Sequence, residues 1–107
     1  MMVRKAGQRP VTTGIAWYRR EQWARLREIS DDTEKLEDTY EEWLELATRA
    51  LRDMRRLGMN VRKVDVDVED LLGWCNEQGR PVDPSSRANY VAEKLRRRGG
   101  RRGERHP

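Results

Sequence analysis

The amino-acid sequence predicts a small, helix-dominated α+β domain with the element order strand–helix–helix–strand–helix–helix around a two-stranded sheet. Three patterns lead to this prediction: a β-branched and aromatic run over residues 11–18, a long amphipathic pattern over residues 40–57, and an alternating pattern over residues 61–68. The chain has 107 residues, which is enough for one domain and too few for two ordinary ones. We therefore expect a single domain over residues 11–95.

The first strand and the first helix are predicted to be short. The sequence VTTGIAWY at residues 11–18 is rich in side chains that favour extended backbone, and it predicts the first strand. Apolar residues then recur at every third position from Trp23 to Ile29 and predict a helix over about residues 20–29. Residues 30–38 are polar and form a connection.

The second helix gives the clearest signal in the chain. Thr39 and Glu42 fit a capping box, in which each side chain accepts a hydrogen bond from the backbone N–H of the other residue. Apolar side chains fill one arc of the helix, about 160° wide, and the charged residues lie opposite. The centre of the arc holds Tyr40, Trp43, Leu44, Ala47, Leu51 and Met54, and its flank holds Leu46, Ala50 and Leu57. Gly58 is typical of a helix C-terminus, so the helix ends near Leu57.

The second strand is predicted from strict alternation over residues 61–68. Apolar residues on one face alternate with polar residues on the other: Val64, Val66 and Val68 against Lys63, Asp65 and Asp67. The sequence leaves open whether the two strands pair with each other or across a homodimer, because two strands alone make a marginal sheet.

Capping residues define the last two helices. Asp67 is a suitable N-cap for a helix that runs to about Gln78. Asp83 followed by Pro84 is typical of a helix start, and the last helix is predicted to run to about Arg98. Gly99 and Gly100 are then expected to stop it.

Positive charge is concentrated at the two ends of the chain. Residues 94–107 carry seven Lys/Arg and one Glu, whereas residues 11–93 carry 13 Lys/Arg against 18 Asp/Glu. Residues 1–10 and 96–107 are predicted to be disordered, the first basic and the second rich in Arg and Gly. The folded part is therefore mildly acidic, and an electrostatic argument for nucleic-acid binding applies to the ends alone.

Two sets of residues are candidates for binding. An arginine cluster in the tail could contact nucleic-acid phosphates: Arg96, Arg97, Arg98, Arg101 and Arg102, with Arg105 beyond them. The alternative interpretation is a tail that only aids solubility. Aromatic residues next to arginines could bind a protein partner, and these residues are Trp17, Tyr18, Arg19 and Arg20. Core packing is the better interpretation of these aromatics, because strand alternation turns one of Trp17 and Tyr18 inward.

No residue pattern in the sequence indicates catalysis or a cofactor. The one histidine is His106, and the one cysteine, Cys75, lies on an apolar helix stripe and is expected to be a small buried residue. This cysteine count excludes an internal disulfide, and no phosphate-binding glycine motif occurs. The acidic run from Asp65 to Asp70 is the best candidate for a divalent metal, but helix capping explains it better. We therefore predict no enzyme activity, no metal, no cofactor and no small-molecule ligand.

The chain also carries no targeting signal that we identify, and no apolar run of the roughly 18 residues needed to span a membrane. The cytoplasm is the predicted location.

Residues 14–95 resemble a group of short bacterial proteins known only as hypothetical proteins. The resemblance is carried by GIAWYRREQW, LEDTYEEWLELA, NVRKVDVDVEDLLGWCNEQGRPVD and SSRANYVAEKL. It implies a self-contained bacterial domain with the basic ends outside it, and it implies no activity and no functional residue. The favoured function is a small non-enzymatic interaction protein that acts through self-association or a protein partner. The alternative is an accessory protein that contacts nucleic acid through its arginine tail.

Overall fold

A computed structural model describes the backbone of residues 11–104 and the side chains of residues 11–97. Two strands and four α-helices follow each other in the predicted order, and two 3₁₀ turns, Arg20–Gln22 and Thr33–Lys35, are added between them. The bounds are β1 Thr12–Tyr18, α1 Trp23–Ile29, α2 Tyr40–Arg56, β2 Asn60–Val66, α3 Val68–Glu77 and α4 Pro84–Glu104. The structure is thus a helix-dominated α+β fold with a two-stranded sheet.

The two strands pair with each other within the chain, and they are parallel. The register runs from Thr12 beside Asn60 to Tyr18 beside Val66. Parallel strands need a long crossover between them, and here α1 and α2 supply it. Paired residues of parallel strands point to the same face, so Ala16 and Val64 share one face and Trp17 and Asp65 share the other.

The main core lies on the sheet face that carries Ala16 and Val64. Its buried members are Tyr18, Trp23, Leu26, Val64, Val66, Val68, Leu71, Cys75, Val82, Tyr90 and Val91. Helix α4 comes very close to β1 here, since a Cβ on Gly14 would lie 2.8 Å from Cγ1 of Val91 and 3.3 Å from Cδ2 of Leu95, both on α4. Glycine at position 14 therefore sets the distance between α4 and the sheet. Cys75 is fully buried in this core, as predicted.

The capping box of α2 is confirmed, but the apolar arc of α2 is less buried than the sequence predicted. The hydroxyl of Thr39 accepts from the N–H of Glu42, and the Glu42 carboxylate accepts from the N–H of Thr39. Only Ala47 and Leu51 of the arc are buried, whereas the flank residues Leu46, Ala50 and Leu57 are exposed. A sheet of two strands is narrow, and it can cover only the centre of a 160° arc.

A buried ion pair ties the connection after α1 to α4. The guanidinium of Arg87 donates two hydrogen bonds to the carboxylate of Asp32, at 2.9 and 2.7 Å, and the two side chains are 12% and 11% exposed. The guanidinium also donates to the hydroxyl of Ser30. A hydrogen bond from the N–H of Asp31 to the carbonyl of Val82 lies beside the pair. No local pattern in the sequence predicts this pair, because its two residues are far apart in the chain.

Two predicted boundaries are wrong. The second strand ends at Val66, because Asp67 leaves the strand to cap α3 and accepts from the N–H groups of Glu69 and Asp70. Helix α4 does not stop at residue 98 but continues to Glu104, so residues 96–104 are helical where disorder was predicted. Glycine in a helix costs only about 1 kcal/mol and causes no clash, and the arginines around it favour helix. Residues 1–10 and 105–107, with their predicted disorder, lie outside the described residues.

Candidate interaction surface

The four residues predicted to bind a partner lie together at the end of β1, but contacts within the domain already engage them. Tyr18 is buried, and the ring of Trp17 packs edge-on against Trp43 at 5.3 Å between centroids. Trp17 and Tyr18 belong to an aromatic cluster formed by Trp17, Tyr18, Trp23, Tyr40 and Trp43. Core packing therefore explains these aromatics, which is the alternative that strand alternation favoured.

The two arginines after β1 are held by carboxylates. Arg19 pairs with Asp65 at 2.7 Å and with Asp67 at 3.4 Å, so it joins the end of β1 to the end of β2. Arg20 pairs with Glu41, and its guanidinium lies 4.8 Å from the centroid of the Tyr40 ring. Charge at this end of the sheet is locally balanced.

The backbone of β1 carries a set of hydrogen-bonding groups that no described residue satisfies. The carbonyl of Tyr18 points away from β2, because the hydroxyl of Tyr40 donates to it at 3.0 Å. Successive residues of a strand alternate in the edge to which their N–H and C=O point, so Thr12, Gly14 and Ala16 share the outward edge with Tyr18. Among the described residues, none forms a hydrogen bond with the outward backbone groups of Thr12, Gly14 or Ala16. We call this feature the β1 edge.

The outer edge of β2 differs, because side chains cover it. Arg55 donates to the carbonyl of Val61 at 3.1 Å, and Lys94 donates to the carbonyl of Asp65 at 2.6 Å. Lys63 and Asp65 also place charge along this strand. Charge and side-chain caps are common means of blocking strand pairing at a sheet edge. Thus side chains protect β2 against edge-to-edge pairing, whereas no side chain within residues 11–97 protects the β1 edge.

A groove of about 370 Å³ runs beside the β1 edge. It lies between β1 and α4 and is lined by Thr12, Thr13, Gly14, Ala88, Val91, Ala92, Leu95 and Arg96. Ala88 and Ala92 are exposed on the flank of α4 and leave space next to the strand. This surface was not predicted, and it has one signal in the sequence: residues 10–18 carry no charge in a chain with 39% charged residues.

The acidic residues considered for a metal have structural roles. Asp67 caps α3, and hydrogen bonds from the backbone of Asp70 and Glu69 hold the pKa of its carboxyl below its ordinary value. Glu69 pairs with Arg25 at 2.7 Å. Within the described part of the chain, no three His, Cys, Asp or Glu residues lie together in a way that could hold a metal ion.

The arginine tail is described in part. Arg96 and Arg97 are exposed on α4, and Arg97 pairs with Glu93 one turn earlier at 2.7 Å. The side chains of Arg98, Arg101, Arg102 and Arg105 lie outside the described set. The structure therefore shows a helical backbone beneath most of the cluster, and the predicted phosphate contacts stay a prediction.

No described helix is both long and apolar enough to cross a bilayer. No family model, no curated protein and no solved structure matches this chain. The resemblance of residues 14–95 to short bacterial proteins therefore stays a prediction.

Proposed function

We propose that this protein is a non-enzymatic interaction module that binds a partner by strand addition at the β1 edge. One observation carries the proposal: the outward backbone groups of Thr12, Gly14 and Ala16 have no partner among the described residues, whereas side chains cap the edge of β2. In strand addition, backbone hydrogen bonds supply affinity and flanking pockets supply specificity. The groove between β1 and α4 is such a pocket.

The non-enzymatic assignment is supported by how the reactive residues are used. Burial raises the pKa of the Cys75 thiol, so the reactive thiolate is disfavoured, and Cys75 has no exposed surface. Asp67 and Glu69 are engaged in a helix cap and an ion pair. A location in the bacterial cytoplasm is also part of the proposal, and it rests on the sequence alone.

The proposal is tested by proline at the edge. Ala16→Pro removes an outward N–H and inserts a ring where an added strand would pair, while an edge strand tolerates proline. We expect the variant to melt within a few degrees of the wild type and to lose the proteins that the wild type captures from a bacterial lysate. Thr12→Pro, at the first residue of the strand, is the second variant in case Ala16→Pro does not fold. Unchanged capture by a folded variant would contradict strand addition.

A second candidate function is nucleic-acid contact through the arginine cluster, favoured by the exposure of Arg96 and Arg97 on a helix. We expect affinity for nucleic acid that falls steeply with salt and is lost when Arg101, Arg102 and Arg105 are changed to Gln. Arg49→Gln, Arg52→Gln and Arg56→Gln on α2 remove the same charge elsewhere and are the control. An equal loss in both triple variants would leave only a general charge effect.

A further inference from the structure

We infer that the strand added at the β1 edge is β1 of a second copy of this chain, antiparallel to the first across a two-fold axis at Gly14. The inference rests on the proposed function and names its partner. It joins two small sheets into one sheet of four strands, which is a more stable size than a sheet of two.

The register follows from which edge groups are already occupied. Tyr40 donates to the carbonyl of Tyr18, so the stretch of the edge that has no partner among residues 11–97 is residues 12–17. The outward residues in that stretch are Thr12, Gly14 and Ala16, and Gly14 is the middle one. A two-fold axis at Gly14 places Thr12 opposite Ala16 of the second copy and Gly14 opposite Gly14. In an antiparallel ladder each of these facing pairs exchanges both backbone hydrogen bonds.

The charge pattern permits a strand of this sequence to pair with itself. Residues 10–18 contain no charged side chain. Arg19, which follows the strand, pairs with Asp65 at 2.7 Å and with Asp67 at 3.4 Å. Pairing of residues 12–16 between two copies therefore brings no like charges together within the ladder. A β2 edge would carry Lys63 and Asp65 into the interface and would first have to release Arg55 and Lys94 from its carbonyls.

Helix α4 extends the same interface. An antiparallel pair in one continuous sheet has its two-fold axis perpendicular to the sheet, so both copies of α4 lie on the same face beside the axis. The flank of α4 next to the β1 edge carries the exposed residues Ala88 and Ala92, whose small side chains allow a close helix–helix approach. The groove between β1 and α4 is then closed by the second copy.

The size of this surface sets the expected strength of the dimer. Stable complexes bury about 1,200–2,000 Å² in total, and one strand pair with a single helix contact lies at or below that range. We therefore expect a dissociation constant in the micromolar range, about 1–100 μM. The protein is then a monomer when dilute and a dimer when concentrated.

The first test combines sedimentation velocity with residue-resolved amide exchange on the full chain, at concentrations below and above the micromolar range. We expect the sedimentation coefficient to rise from monomer to dimer. The amides of Thr12, Gly14 and Ala16 should exchange fast when dilute and become protected when concentrated. The amides of Thr13, Ile15 and Trp17 point inward and serve as internal controls, because β2 protects them at both concentrations.

The second test uses a matched pair of variants on exposed helical alanines. Ala92→Lys places a long cation in the α4 flank of the interface, whereas Ala50→Lys makes the same change on α2, outside the groove. We expect Ala92→Lys to weaken the dimer by at least about tenfold and Ala50→Lys to leave it unchanged.

A protein that stays monomeric at every concentration, or a dimer without new protection at Thr12, Gly14 and Ala16, would overturn this inference. If the monomer still captures a protein from a lysate and Ala16→Pro abolishes that capture, the second copy is wrong and strand addition stands. If Ala16→Pro changes neither dimerisation nor capture, both proposals fail.

Discussion

At the scale of single residues, the ion pair between Asp32 and Arg87 shows which partner of a buried pair matters more. The Asp32 carboxylate can take up a proton when its partner is lost, whereas a guanidinium stays charged at any pH at which the protein is folded. A buried, unpaired Arg87 is therefore the costlier defect.

We expect Asp32→Ala to lower the free energy of unfolding at pH 7 by about 3–5 kcal/mol, because it leaves the Arg87 charge buried and unpaired. Arg87→Met should cost less, since the methionine fills part of the same space and Asp32 can become neutral. Urea unfolding of the two variants beside the wild type measures both values. A larger loss for Arg87→Met would reverse this order and place the main cost on Asp32.

Gly14 and Gly73 form a matched pair of glycines with opposite surroundings. A Cβ on Gly14 would lie 2.8 Å from Val91, whereas a Cβ on Gly73 in α3 meets nothing within 4 Å. We expect Gly14→Ala to destabilise the protein by about 1–3 kcal/mol through overpacking. Gly73→Ala should stabilise it by up to about 1 kcal/mol through helix propensity. The melting temperatures of the two variants, compared with that of the wild type, test this expectation. If both variants shift the melting temperature equally, α4 can move away from the sheet without cost.

At the scale of elements, the capping box of α2 contributes more to the stability of the helix than the exposed flank of its apolar arc does. The flank of the arc is exposed, so burial stabilises α2 mainly through residues at the centre of the arc. Ala47 and Leu51 are buried there, and Tyr40 and Trp43 pack against the core in the aromatic cluster. The two hydrogen bonds between Thr39 and Glu42 then carry much of the remaining local stability.

Thr39→Ala is expected to lower the free energy of unfolding by about 1 kcal/mol, because the N–H of Glu42 loses its acceptor. Thr48→Ala is the control, since Thr48 is an exposed residue in the middle of the same helix and alanine favours helix there. The control should be neutral or slightly stabilising in the same urea titration. If both variants lose stability equally, the cap is not the cause.

At the scale of the whole molecule, titratable groups with shifted pKa values limit the pH range of stability on both sides. A hydrogen bond from Arg87 holds the pKa of Asp32 below its ordinary value of about 4, so the stabilisation is present above that pH and is lost as the pH falls. Burial raises the pKa of Tyr18 to about 12. That stabilisation is complete below about pH 10, the ordinary tyrosine pKa, and is lost as the pH rises towards 12.

We therefore expect a plateau of stability between the ordinary pKa values of aspartate and tyrosine, measured as the urea midpoint against pH. Tyr18→Phe should remove part of the alkaline decline and leave the acid decline unchanged. Tyr90, whose pKa burial also raises, keeps the rest of the alkaline decline. An unchanged alkaline decline in Tyr18→Phe would assign it to other groups.

The sequence predicts the elements of this molecule well because their signals are local. The capping residues Thr39, Asp67 and Asp83 each start a helix in the structure, and alternation places Val64 and Val66 in the core. The parallel pairing, the ion pair between Asp32 and Arg87 and the free β1 edge depend on residues far apart in the chain. No local pattern indicates which side of a strand stays unpaired. The one sequence signal of the candidate surface is therefore the run of residues 10–18 without charge.

Because Cys75 is fully buried, the rate at which its thiol is labelled measures how often the core of the protein opens. This is the one thiol of the chain, and a thiol reagent can reach it only in molecules whose core has come apart. When closing is faster than labelling, the rate of modification gives the equilibrium constant for opening, and at high reagent concentration it approaches the opening rate itself. Labelling at several protein concentrations would then show how strongly association keeps the native core closed.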